Sequence, residues 1–119
     1  MSVLNDKYSC SMELTMDLIG GKWKIRILWY LNMGTKRYSE LKKLIPDITP
    51  KMLTTQLREM ERDNLLTRKV YPVVPPKVEY SITEYGRGLQ STLEEMCKWG
   101  NKYAIDHDIK LLCDNINTI

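Results

Sequence analysis

Histidine is nearly absent from this chain: one residue in 119, His107. It lies far from any recognisable motif. No nucleophile elbow, no glycine loop suited to cradling phosphate and no paired cluster of acids is visible. Cys97, His107 and Cys113 lack the spacing of a zinc site, so neither a metal nor another cofactor is expected. Cysteine is also sparse. The three thiols, Cys10, Cys97 and Cys113, are odd in number and widely separated, which argues against a disulfide framework. No apolar run approaches the length of a membrane span, and the opening MSVLNDKYSC has no apolar core of the signal-peptide kind. These absences exclude the common enzyme classes and lead to the expectation of a cytoplasmic non-enzyme. Repeats, low-complexity segments and Gly/Ser linkers are missing too, so residues 1–119 are expected to form a single domain with a proper core.

What is present is charge, unevenly placed. The net charge is only +3, yet Lys22 to Lys77 holds thirteen Lys/Arg against five Asp/Glu, and the two flanks together carry −5. A basic middle between acidic ends is the footprint of a local polyanion site.

The centre of that segment is TPKMLTTQLREMERDN, residues 49–64. Thr49 is a good N-cap and Pro50 suits the first helical position. At 100° per residue, Leu53, Gln56, Leu57, Met60 and Asn64 fall on one side. Lys51, Thr55, Arg58 and Arg62 fall opposite, within an arc of about 60°. Such a ridge suits a polyanion, although most charged helix faces are simply solvated. Its context separates the two readings.

Upstream, the hydroxyls of Ser9 and Ser11 are positioned to cap a short helix, 12–19, that is apolar over a wide arc. Such a helix is either sandwiched in the core or meets a second subunit. Gly20-Gly21 breaks it, and a helix over 22–31 follows, with Gly34 as a left-handed terminator. Ser39 is positioned to cap a brief helix over 40–45, which Pro46 stops. A short helix, a four-residue turn and a capped basic helix make a helix-turn-helix, residues 39–63, with the recognition helix at 50–63.

After Asn64 the apolar period changes to two. Residues 66–71 and 77–82 read as strands joined by the proline-rich tip PVVPP, a wing over residues 65–82. Thr83 is positioned to cap a long helix, 84–106. Its stripe of Leu89, Leu93, Met96, Gly100 and Tyr103, widened by Cys97 and Trp99, exceeds what so small a domain can cover. A dimer contact shared with the first helix is therefore expected, through Met12, Met16, Leu93, Met96, Trp99 and Tyr103. The tail continues at helical spacing through Ile109, Leu112, Cys113 and Ile116. The expected fold is mainly α with a small β-hairpin wing.

This order of elements resembles the winged helix-turn-helix regulators. Several strings are similar to one family in particular, the HxlR-type regulators related to MarR proteins. They are Cys10 before the first helix, DLIGGKW (17–23), YSELKKLIPDITPKMLTTQLREME (38–61), VYPVVPPKVEYSITEYG (70–86) and KWG (98–100). The resemblance implies a homodimer that reads a pseudo-palindromic operator in double-stranded DNA. It also implies a sensor at the cysteine matching Cys10, with an electrophile or oxidant as effector. A thiol at a helix N-terminus sits where the dipole favours negative charge, and Lys7 is nearby. The other reading of Cys10 is an inert small hydrophobe.

Two functional classes follow. In a sequence-specific DNA-binding transcriptional regulator, Lys51, Thr54, Thr55 and Arg58 meet base edges and groove walls. Arg62, Lys22, Lys24, Lys43, Arg68, Lys69 and Lys77 supply phosphate contacts, with wing residues 66–82 on the backbone. Arg58 is the candidate for bidentate guanine reading. The alternative is a winged-helix protein-interaction module that presents its basic face to an acidic partner. Steep salt dependence together with preference for one duplex sequence separates the two.

Overall fold

Thr49 caps as its position predicts: its Oγ1 accepts the Met52 amide at 3.1 Å, and Pro50 starts a 13-residue helix. The computed structural model describes residues 4–112. Its elements are α1 (Ser11–Ile19), α2 (Lys24–Met33), β1 (Lys36–Arg37), α3 (Tyr38–Leu44), α4 (Pro50–Arg62), β2 (Leu66–Tyr71), β3 (Lys77–Ile82), α5 (Glu84–Arg87) and α6 (Gln90–Asp106). The chain divides into two compact units, one ending at Arg87 and the other beginning at Gly88.

In the first unit, α2 packs on α3 and β3, and α4 packs on β2. Ile27, Leu31, Leu41, Ile48, Leu53 and Met60 are fully buried there. The turn from α3 to α4 forms because Pro46 forces Ile45 out of the helical region, to φ −123° and ψ 73°. At the other end of α4, Asn64 takes a left-handed conformation at φ 62°, one that Asn tolerates better than most residues. That bend turns the chain into β2. Asn64 itself is exposed.

The sheet has three antiparallel strands in the order β1-β3-β2, one more than the expected hairpin. Leu66 pairs with Ile82 and Tyr71 with Lys77 across the wing, while Lys36 pairs with Tyr80 and Arg37 with Glu79 on the other edge. Burial in β2 stops at Leu66, and the residues beyond it are exposed or half-buried.

Several local expectations need correction. The N-cap of α1 is Cys10, without a side-chain cap bond, because the Ser9 hydroxyl goes to Glu13 Oε1 at 2.7 Å. Helix α2 starts two residues late, and Gly34, at φ 153° and ψ 168°, is not in the left-handed helical region. Helix α3 begins at Tyr38, its first turn tied by the Arg37 amide donating to Glu40 Oε1 at 2.8 Å; Ser39 does not cap it. The helix expected over 84–106 is broken at Gly88-Leu89 into α5 and α6. Thr83 does cap α5, accepting the Gly86 amide at 3.3 Å while donating to the Asn64 carbonyl at 2.7 Å. Gly86 itself is needed for close packing, since a Cβ there would strike the Ile82 side chain and the Leu65 carbonyl.

Helix α1 buries only Ile19 and exposes Met12 (65%) and Met16 (53%). A position for α1 sandwiched in the core of the first unit is thereby excluded.

The second unit is built on α6. Leu93 and Ala104 are buried, whereas Met96, Trp99 and Tyr103 are exposed. Trp99 stacks on Tyr103 at 5.5 Å, and Tyr103 on His107 at 4.0 Å. Leu93, expected at the dimer contact, is already buried in the single chain and leaves that set. Residues 109–112 are not helical, and Cys113 and Ile116 lie outside the described residues.

Candidate nucleic-acid interface

Helix α4 carries its cations where the period puts them: Lys51, Arg58 and Arg62 are exposed, and Thr55 is half-buried. The Thr55 hydroxyl donates to the Lys51 carbonyl at 3.0 Å, so its lone pairs stay available. Thr54 is half-buried, 3.5 Å from the Tyr38 hydroxyl, which donates to the Pro50 carbonyl at 2.9 Å. Tyr38 thus ties the start of α3 to the first turn of α4. Composition alone did not single it out.

Beside the ridge, a cleft between α4 and the hairpin is lined by Thr54, Leu57, Arg58, Glu61, Arg68 and Tyr80. Arg68 Nε pairs with Glu61 Oε1 at 3.4 Å across this cleft. Burial is the main cause that pushes the Tyr80 phenol above its ordinary value. A cation on the wing and a cation on α4 therefore face the same space.

The turn before α4 is fixed by charge. Asp47 receives two hydrogen bonds from the Arg26 guanidinium, at 3.0 and 3.1 Å, and lies 3.9 Å from Lys22. These Arg26 hydrogen bonds are the chief reason its carboxyl sits below the usual range. Lys22 also lies over the Trp23 ring, 4.7 Å from its centroid.

One nominated residue does not belong to the surface. Lys24 is 5% exposed and pairs with Glu59 at 2.8 Å; both side chains are buried. Lys24 cannot reach a phosphate. Its ammonium instead joins α2 to the inner face of α4, which a lysine in a basic segment did not signal. Lys43 is exposed, with no ion pair among the described residues.

On the wing, Lys69 and Lys77 lie over the Tyr71 ring, 4.8 and 4.7 Å from its centroid. Glu79 accepts the Tyr71 hydroxyl at 2.8 Å and pairs with Lys77 at 3.4 Å. The Tyr71 hydrogen bond, ahead of Lys77, is the main influence lowering the Glu79 carboxyl.

Cys10 is exposed at the start of α1, in an open groove lined also by Lys7, Tyr8, Met12 and Met16. Cys97 is half-buried. Among the described residues no group of three or more His, Cys, Asp or Glu could hold a metal ion, and no helix is long and apolar enough to cross a membrane.

The chain is similar in sequence and fold to known proteins. Residues 18–108 match the family described as HxlR-like helix-turn-helix. The chain is 55% identical over 98 residues to an uncharacterized HTH-type transcriptional regulator, YkvN, of Bacillus subtilis (strain 168), which covers 82% of this chain and 83% of that protein. The solved redox regulator HypR in its oxidized form superposes with a TM-score of 0.74 at 48% identity, over 78% of this chain and 96% of that one. The quinone-bound YodB of B. subtilis gives a TM-score of 0.66 at 34% identity, over 76% and 96% of the two chains.

Proposed function

We propose a function from one premise: the chain belongs to the HxlR-like helix-turn-helix family. It is a DNA-binding transcriptional regulator. In this reading residues 1–119 work as one domain, α4 enters the major groove and the β2–β3 hairpin lies along the backbone. Lys51, Thr54, Thr55 and Arg58 meet bases and groove walls, while Lys22, Lys43, Arg62, Arg68, Lys69 and Lys77 grip phosphate. The observation that carries it is the outer ridge of α4, where Lys51 and Arg58 are exposed and have no ion pair among the described residues. A capped cationic ridge on which Lys51 and Arg58 stay unpaired among the described residues, beside a hairpin, is the geometry a groove-reading helix needs.

Two copies act together. Met12 and Met16 on α1, and Met96, Trp99 and Tyr103 on α6, are exposed large apolar residues that a second copy would cover. The pair of recognition helices then meets two half-sites of a pseudo-palindromic operator.

Cys10 is the switch. HypR is a redox regulator solved in an oxidized form, and YodB has been solved with a quinone bound. Oxidation or alkylation of Cys10 adds bulk or charge beside α1. A differential stability of about 1.4 kcal/mol between DNA-competent and incompetent dimers is enough to change affinity tenfold.

The test is duplex binding over a salt series, using an operator mapped by footprinting and a random duplex. Arg58→Ala is expected to lose about 1–3 kcal/mol on the operator and to relax preference at one position. Equal binding of both duplexes by wild type and variant would defeat the assignment and turn attention to an acidic protein partner. With diamide added, Cys10→Ser is expected to keep basal binding and lose the response. An undiminished response would remove Cys10 from the mechanism.

A further inference from the structure

The wing carries four residues that its register brings together. Tyr71 lies opposite Lys77, and Lys69 opposite Glu79. Because side chains alternate along a strand, these four share one face of the hairpin, and Arg68, Val70, Val78 and Tyr80 share the other. On the first face both ammonium groups lie against the Tyr71 ring, and the Glu79 carboxylate holds the Tyr71 hydroxyl with one oxygen and Lys77 with the other. Lys69 faces Glu79 in the ladder but sits on the ring, with no ion pair among the described residues.

The same pairing recurs across the basic surface. Arg62 is held by Asp63 at 3.2 Å, Arg68 by Glu61 at 3.4 Å and Lys22 by Asp47 at 3.9 Å. Lys51 and Arg58, assigned above to bases, have no such partner among the described residues. Four of the cations assigned to phosphate are thus already countered.

We propose that Glu79 is a built-in competitor of DNA phosphate, an affinity-setting residue that holds Lys77 and weakens the grip of the wing on any duplex. The proposal rests on the DNA-binding reading above. A phosphate that approaches Lys77 must displace an anion already in place. After displacement that anion still stands beside it and repels it. The Tyr71 hydroxyl keeps Glu79 from swinging away. This face therefore releases fewer counterions than its two lysines suggest, and backbone affinity falls. Occupancy then depends more on base contacts, which carry the sequence information.

The test is Glu79→Gln, whose amide still accepts from Tyr71 and fills the same volume without charge. Binding to a random-sequence duplex is measured by fluorescence anisotropy over a salt series. Glu79→Gln is expected to bind roughly three- to tenfold tighter at low salt, with a salt dependence steeper by about one unit. Because Lys69 and Arg37 also stand opposite Glu79, Lys77→Ala/Glu79→Gln is expected to gain less over Lys77→Ala than Glu79→Gln gains over wild type. Tyr71→Phe, which frees Glu79 but keeps the ring, should show a smaller gain in the same direction. Unchanged or weaker binding by Glu79→Gln would overturn the proposal, since Glu79 would then orient Lys77 for DNA. An equal gain without Lys77 would overturn it as well. A wild type that binds no duplex strikes down the regulator reading and this proposal together. A wild type that binds while Glu79→Gln does not tighten strikes down this proposal alone.

Discussion

Helices α4 and α6 are both amphipathic, yet they turn opposite kinds of surface outward. Helix α4 buries Leu53, Leu57 and Met60 to 2% exposure or less and shows water Lys51, Arg58 and Arg62. Helix α6 buries Leu93 and Ala104 but leaves Trp99 69% exposed and Met96 48% exposed. The exposed face of α4 is well solvated as it stands and is ready for a polyanion. The exposed face of α6 forgoes about 25 cal/mol for every Å² of apolar surface left in water. One helix has completed its packing, and the other keeps an apolar face in water.

The largest expected effect comes from breaking the completed side. Glu59→Ala leaves the Lys24 ammonium buried and unpaired and is expected to cost about 3–5 kcal/mol in urea unfolding. Replacing the pair together, as Lys24→Met/Glu59→Leu, should recover most of that loss. A cost below about 1 kcal/mol for Glu59→Ala would show that α4 is held by its apolar stripe alone.

Next comes the incomplete side. Trp99→Glu places a charge on the exposed stripe of α6 and is expected to weaken self-association by about 2 kcal/mol or more. Sedimentation at micromolar concentration should move from dimer to monomer. A wild type that is already monomeric there would break the comparison, because α6 would be exposed for another reason.

The smallest effect concerns the turn that aims α4. Asp47 has its carboxyl lowered below the ordinary 3.8 by the Arg26 hydrogen bonds. A lowered carboxyl contributes its stability in full above the unfolded value and loses it as pH falls through the folded one. The stability difference between wild type and Asp47→Asn is therefore expected to be constant at neutral pH and to shrink below about pH 4. Thermal melts at pH 7, 5 and 3.5 check this. A difference that grows in acid would contradict the sign.

What could be read in advance, and what could not, follows the range of the interaction. Thr49 and Pro50 were legible because a cap is made within three residues of itself. The two long wing strands were legible from a period of two. Strand β1 was not, since Lys36-Arg37 is too short to show a period and exists only through pairing with Tyr80 and Glu79. The break at Gly88-Leu89 was hidden because the apolar stripe starts only at Leu89 and says nothing of the residues before it. Lys24 was placed on the surface by its residue type, and only Glu59, thirty-five positions later, takes it inside. Tyr38, Tyr71 and Glu79 carried no pattern of their own, for they act through partners that the fold brings to them.

The sequence by itself determined the winged helix-turn-helix, its capped cationic ridge and the proline tip, because caps, turns and apolar periods are settled between near neighbours. Tertiary structure alone decided which charges stay free. It buried Lys24 on Glu59, tied Lys77 to Glu79 and Arg68 to Glu61, and left Lys51 and Arg58 without an ion pair among the described residues. The physical reason is range: whether a charge is solvated or paired depends on which groups the fold brings within about 4 Å of it; Glu59 and Glu61 reach their cations from a different element, and Glu79, two residues from Lys77 on the same strand, is held by Tyr71 of the neighbouring strand.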